Sequence, residues 1–175
     1  GLIYIQTASP MIPAKVLGPD AGDHVLDMCA APGSKTTHIA ALMGNRGSID
    51  AWDVYPHKVK LIKDNAKRLG ISIIHTEVRD SVKPLPFLYE TYDKVLLDAP
   101  CSGLGVLGHK VELRWRRKES DLSVFPPLQK QLIEQAAKYT KTGGVLVYST
   151  CTLNPDENEH IINEFLSFGV CAGRI

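Results

Sequence analysis

Short runs rich in branched and aromatic residues alternate along this chain with stretches of helical periodicity, and that alternation limits the fold more than any other feature. His24-Val25-Leu26-Asp27-Met28 reads as a strand, as do residues 47–53, 71–78, 92–98 and 144–150. Between them, residues 56–69 place Val59, Ile62, Ala66 and Leu69 on one stripe, with Pro56 at the start and Gly70 as the stop. Residues 127–140 repeat the pattern with Leu128, Leu132, Ile133 and Ala136, ended by Gly143-Gly144. A last helix is expected to open at Asn154-Pro155, with Asp156 and Glu157 in its first turn, and to bury Ile161, Ile162, Phe165 and Leu166. Strand alternating with helix predicts an α/β fold with a doubly wound, mostly parallel sheet. Such sheets bind ligands beyond the carboxyl ends of their strands, near the point where strand order reverses.

The residues with chemistry to offer fall where that rule puts them. The first strand runs into Cys29, Ala30, Ala31, Pro32, Gly33, Ser34 and Lys35, a turn of small residues before a helix that lets backbone approach a ligand. A phosphate loop would need Gly where Ser34 stands, and GxGxxG is absent. Asp53 ends the second strand, Asp80 follows the third and Asp98 ends the fourth. Three carboxylates and a glycine turn point to an adenosine-type ligand, whether it carries phosphate or a sulfonium. Asp53 taken alone fits a solvated strand-end carboxylate equally well.

Cys101, in Asp98-Ala99-Pro100-Cys101-Ser102-Gly103, and Cys151, in Ser149-Thr150-Cys151-Thr152, lie 50 residues apart in sequence. If their strands are parallel neighbours, the strand ends are only about 5 Å apart, and both thiols face one cleft with Asp98. A single strand-end cysteine is more often a buried, inert residue; two at one rim shift the balance toward chemistry. Cys29 is expected to line the ligand turn, and Cys171 lies in an uninformative tail.

Four motifs, DMCAAPGSKT, LLDAPCSG, YSTCT and NPDENE, in that order, resemble those of the Sun-type RNA 5-methylcytosine methyltransferases, most closely the bacterial branch acting on small-subunit ribosomal RNA. The resemblance covers nearly the whole chain. It implies a Rossmann-like class I methyltransferase fold lacking the family's last strands, with residues 1–175 forming the S-adenosylmethionine-dependent catalytic domain of a longer protein. It assigns the cofactor loop to Cys29 through Lys35, the ribose to Asp53 and the adenine edge to Asp80. Asp98 would stand between the cofactor's methionine end and the target base, Cys151 would be the nucleophile, and Cys101 would help release product. RNA is the implied partner, with an RNA-docking domain upstream. The chain departs from the family at Ser34, commonly glycine, at Gln6-Thr7-Ala8-Ser9, which lacks an acid, and at Gly108-His109-Lys110-Val111, where Arg and Pro are common.

The implied chemistry explains the residue types. Cytosine C5 is a poor nucleophile until a thiolate adds to C6, which splits one hard step into easier ones. Only the thiolate reacts, and a helix dipole starting near Pro155 is expected to help ionise Cys151. Asp98, if protonated, would serve the cytosine N3, and the base must be exposed or flipped. Arg114-Trp115-Arg116-Arg117-Lys118, with His109 and Lys110 near it, suits phosphate contact and stacking, and suits a solvated loop equally.

Bulk properties leave room for this reading. A net charge of +1 excludes a grossly basic coat, so any RNA contact must be local or come from another domain. The four cysteines lack paired CxxC spacing, so no metal site is expected. No apolar run spans a membrane and no signal peptide is visible, so reduced thiols in the cytoplasm are expected. Two alternatives stay open. DNA cytosine-5 methyltransferases attack through a Pro-Cys thiol, which would exchange the roles of Cys101 and Cys151. A non-catalytic RNA-binding or ribosome-assembly module would keep the fold alone.

Overall fold

The computed structural model describes residues 3–108, 115 and 119–171. Five strands, β1 (His24–Asp27), β2 (Ser48–Asp53), β3 (Ile74–Val78), β4 (Tyr92–Asp98) and β5 (Thr140–Ser149), form one sheet in the order β3-β2-β1-β4-β5. Every pairing is parallel. The chain winds outward from β1 through β2 to β3, then returns to the other side of β1 for β4 and β5. The reversal lies between β1 and β4, so the loops leaving these two strands border the expected binding crevice.

The described residues form six α-helices: α1 (Ile12–Leu17), α2 (Ser34–Leu42), α3 (Pro56–Arg68), α4 (Glu119–Leu122), α5 (Phe125–Tyr139) and α6 (Glu159–Cys171). Neighbouring residues on each strand serve opposite layers, as strand geometry requires. Val25, Ile49, Leu96 and Val147 pack with Ala14 and Leu17 of α1 and Ile39 and Ala40 of α2. Leu26, Trp52, Val95 and Leu97 face the other way, onto Leu132, Ile133 and Ala136 of α5 and Ile161 of α6. The strands are therefore apolar on both faces, which a sheet covered on both sides demands.

Three details correct the sequence reading. First, α5 ends at Tyr139 and β5 begins at Thr140, whereas the periodicity ran on to 140 and placed the strand at 144. Gly143-Gly144 is not the helix stop; it lies inside β5, at a register irregularity where Tyr92 pairs with Thr140 but Lys94 with Val145. Gly143 takes φ +79°, and a Cβ at Gly144 would lie 2.8 Å from the Asp93 carbonyl oxygen. Second, Pro155–Glu157 is a separate 3-10 turn, and α6 starts only at Glu159. The dipole invoked for Cys151 therefore belongs to a helix beginning eight residues later in sequence. Third, β3 starts at Ile74 rather than residue 71, and a 3-10 turn, Pro86–Leu88, lies between β3 and β4.

Candidate active site

The register of β4 on β5 builds the site. Its last pair is Asp98 with Ser149, and the Ala99 amide donates to the Ser149 carbonyl at 2.8 Å. Two loops therefore leave the sheet side by side, and they bring the Cys101 and Cys151 sulfurs to 3.2 Å. The Cys151 amide also donates to Cys101 Sγ at 3.3 Å. The two thiols differ in setting: Cys151 is exposed and Cys101 is partly buried. The hydrogen bond with Cys151, then burial, push the Cys101 thiol well above the ordinary cysteine range.

Asp98 joins this pair to the loop after β1. Its Oδ1 accepts from Ser149 Oγ at 2.7 Å and its Oδ2 from Lys35 Nζ at 2.6 Å. With Asp27, Cys29, Ala30, Ala31, Pro32, Ser34 and Lys35, it lines a small cavity at the crevice. Cys29 thus lines this cavity; burial first, then the nearby carboxylates of Asp27, Asp53 and Asp98, raise its thiol far above the usual range. Gly33 has φ +98°, and a Cβ there would meet Ile62 of α3 at 3.2 Å. It is required by the turn and by helix packing.

Asp53 and Asp80 continue the row along the strand ends. Asp53 is buried and accepts from the Tyr55 amide at 3.0 Å, and the Ala30 amide donates to the Trp52 carbonyl at 2.8 Å, tying the β2 end to the cavity loop. Asp80 stands two residues past β3, where the Arg79 amide bonds the Asp53 carbonyl at 3.0 Å. Its own Oδ1 accepts from the Val82 amide at 3.2 Å.

Asp27 is a member of this site that sequence reasoning passed over. It is 1 % exposed; Thr36 Oγ1 donates to its Oδ2 at 2.7 Å, and its Oδ1 has no hydrogen-bond partner. Burial, above all, pushes its carboxyl up to about 7. A carboxylate inside the apolar run His24–Asp27, directly before the small-residue turn, was the available signal. Ser81 was also missed: its hydroxyl holds the Met28 carbonyl at 2.7 Å, across from the same turn. The basic run is outside the described residues (Arg114, Arg116, Arg117, Lys118), as are His109 and Lys110; Trp115 is described and is 87 % exposed. Among the described residues no group of three or more His, Cys, Asp or Glu could hold a metal ion, and no helix is long and apolar enough to cross a membrane.

Residues 14–169 match the family model described as 16S rRNA methyltransferase RsmB/F. The chain belongs to this family. A member from Bacillus subtilis (strain 168), a probable ribosomal RNA small subunit methyltransferase B, is 44 % identical over 167 residues, covering 95 % of this chain and 37 % of its own length. Human NSUN6, a tRNA (cytosine(72)-C(5))-methyltransferase, is 41 % identical over 169 residues, covering 90 % of this chain and 35 % of its own. The solved structure of NSun6 from Pyrococcus horikoshii with SFG superposes with a TM-score of 0.87 at 41 % identity, over 95 % of this chain and 42 % of that one. A Thermotoga maritima SAM-dependent O-methyltransferase, 18 % identical, shares the fold at a TM-score of 0.67. The fold is accordingly the Rossmann-like one of S-adenosylmethionine-dependent methyltransferases. The chain spans little more than a third of the length of these curated family members.

Proposed function

We propose that this chain is the catalytic domain of an enzyme that transfers a methyl group from S-adenosylmethionine to C5 of cytosine in RNA, with Cys151 as nucleophile. The contact between Cys101 and Cys151 beside Asp98 carries the reading, because C5 methylation needs one thiol to add and a second group to take a proton from the same ring. The family's bacterial members favour small-subunit ribosomal RNA as the substrate and the cytoplasm as the location. Their greater length leaves room for an RNA-docking domain upstream.

The residues present fit the cofactor. Asp27 Oδ1, buried and without a partner at the edge of the cavity, suits an ammonium such as that of the methionine portion, together with Asp98. Cys29, Ala30, Ala31, Pro32, Gly33, Ser34 and Lys35 would cradle the rest, with Asp53 on ribose hydroxyls and Asp80 toward the adenine edge. SFG, the compound in the NSun6 structure, is an analogue of this cofactor. When bound, S-adenosylmethionine supplies an electrophilic methyl on a sulfonium.

The chain's own residues do the rest. The Cys101 and Cys151 sulfurs share a hydrogen bond at 3.2 Å, and Cys151, the exposed one, adds as its thiolate to cytosine C6. Lys35 and Ser149 hold Asp98 where it can serve the cytosine ring as charge develops. Once Cys151 is bonded to C6, Cys101 stands beside the adduct and gives its own proton to solvent water. As a thiolate it accepts the C5 proton; the electron pair returns to the C5–C6 bond and Cys151 leaves. Incubating the Cys151→Ser and Cys101→Ser variants with RNA and labelled methyl donor tests this order. Cys151→Ser is expected to abolish the covalent RNA adduct and Cys101→Ser to let it accumulate; the opposite pattern would refute the assignment and favour the Pro-Cys thiol as nucleophile. Mapping 5-methylcytosine in total RNA from cells with and without the protein names the substrate.

A further inference from the structure

The pattern of NPDENE predicts a helix start, yet its central residues make a different set of contacts. Glu157 is fully buried. Its Oε2 accepts from the Ser102 amide at 2.8 Å and from Gln129 Nε2 at 3.1 Å, and its Oε1 accepts from Asn154 Nδ2 at 3.3 Å. Ser102 directly follows Cys101, and Gln129 also donates to the Pro100 carbonyl at 2.9 Å, so the carboxylate and its neighbour on α5 hold both flanks of the Cys101 turn. Asn158 does the same for the other thiol. Its Oδ1 accepts from Thr150 Oγ1 at 2.6 Å, and its Nδ2 donates to the Thr152 and Asn154 carbonyls at 3.1 and 3.0 Å. Those residues enclose Cys151. The two turns are then laced directly, by Ser102 Oγ against Thr152 Oγ1 at 2.7 Å and by the Gly105 amide on the Cys151 carbonyl at 3.0 Å.

We propose that Glu157 and Asn158 are positioning residues, which fix the Cys101 and Cys151 turns so that the two sulfurs stay in contact. A buried carboxylate is costly unless its oxygens are satisfied, and here every partner on its side-chain oxygens is a donor. Satisfying the carboxylate and setting the Cys101 turn are therefore one event. The consequence for turnover rests on the methyltransferase reading above; the geometric claim does not.

The test uses Glu157→Gln and Asn158→Ala in the full chain, with Glu159→Gln, an exposed neighbour in the same motif, as control. Glutamine places an amide N–H₂ against groups that themselves donate. The first readout is independent of methyl transfer: formation of the Cys101–Cys151 disulfide in glutathione buffers, mapped by peptide mass. One oxidised glutathione takes up two electrons from the two thiols and leaves as two reduced molecules, so the equilibrium reports how well the sulfurs are held together. Each variant is expected to lower their effective concentration roughly ten-fold or more, with Glu159→Gln unchanged. The second readout is turnover, expected to fall on the order of 10²-fold with KM for RNA and cofactor little moved. Unaltered disulfide formation in a variant that folds and binds cofactor overturns the proposal. Should circular dichroism show that Glu157→Gln does not fold, Asn158→Ala, which leaves the buried carboxylate in place, decides alone. Weakened disulfide formation in a variant whose parent shows no S-adenosylmethionine binding by calorimetry upholds the positioning role and refutes the function.

Discussion

Asp27 illustrates how one residue can be costly to the fold and useful to the site. Its carboxyl has a raised value of about 7 against 3.8 in an unfolded chain, with burial as the main cause. Between those values the folded chain holds a proton that the unfolded chain has lost. Stability therefore falls as pH rises through about 4 to 7, by an upper figure of roughly 4 kcal/mol. Asp27→Asn should flatten that slope in denaturant titrations at pH 5 and 7.5, and should weaken S-adenosylmethionine binding measured by calorimetry. A variant with the parent's pH slope would show that Asp27 does not carry it. The cysteines differ in the same residue-level way. Exposed Cys151 should react with iodoacetamide at neutral pH before Cys29 and Cys101, whose thiols are held protonated, and peptide mass mapping reads that order.

At the scale of elements, the pairing of β4 with β5 decides where the thiols meet. That pairing is irregular at its start, where β5 must absorb extra residues between the Thr140 and Val145 positions. Gly144 permits it, since a Cβ would lie within 2.9 Å of two backbone carbonyls, of Asp93 and Lys141, that cannot swing aside. Gly144→Ala is expected to cost about 1–3 kcal/mol in chemical denaturation. It should also slow Cys101–Cys151 disulfide formation, because the strain is relieved by shifting β5 along β4. A stability loss with unchanged thiol pairing would mean that the far end of the strand is insulated from its start.

For the whole molecule, the sheet is shared between two cores. Leu96 and Leu97 are consecutive and fully buried, yet Leu96 packs with the α1 and α2 layer and Leu97 with the α5 and α6 layer. Either residue changed to Ala should cost roughly 2–5 kcal/mol. Since both cores hang on one set of strands, each variant should still unfold in one cooperative transition, seen equally by far-UV circular dichroism and by fluorescence of buried Trp52. Two separated transitions in either variant would show that the layers are independent.

Local patterning carried most of the architecture. Strand composition, helical periodicity and the positions of Asp53, Asp80 and Asp98 announced an α/β sheet with its chemistry at the strand ends, because each of these signals lies within about a dozen residues. The motif resemblance added the family. Short or overlapping signals failed: α1, only six residues long, shows too little periodicity to be seen, and Gly143-Gly144 looks the same as a helix stop or as a strand irregularity. Ser81 and Glu157 escape a sequence reading because their partners lie far along the chain, Met28 for Ser81 and Ser102 with Gln129 for Glu157, whereas Asp27 and Asn158 bond locally, to Thr36 and to Thr150, and only the tertiary structure sets them beside the cavity and the Cys151 turn. Residue order alone thus set which groups stand at the ends of which strands. Strand order and register, which depend on packing between segments far apart in sequence, decided that two thiols 50 residues apart touch, that Asp27 keeps an unpartnered oxygen at the cavity, and that a buried carboxylate holds the Cys101 turn.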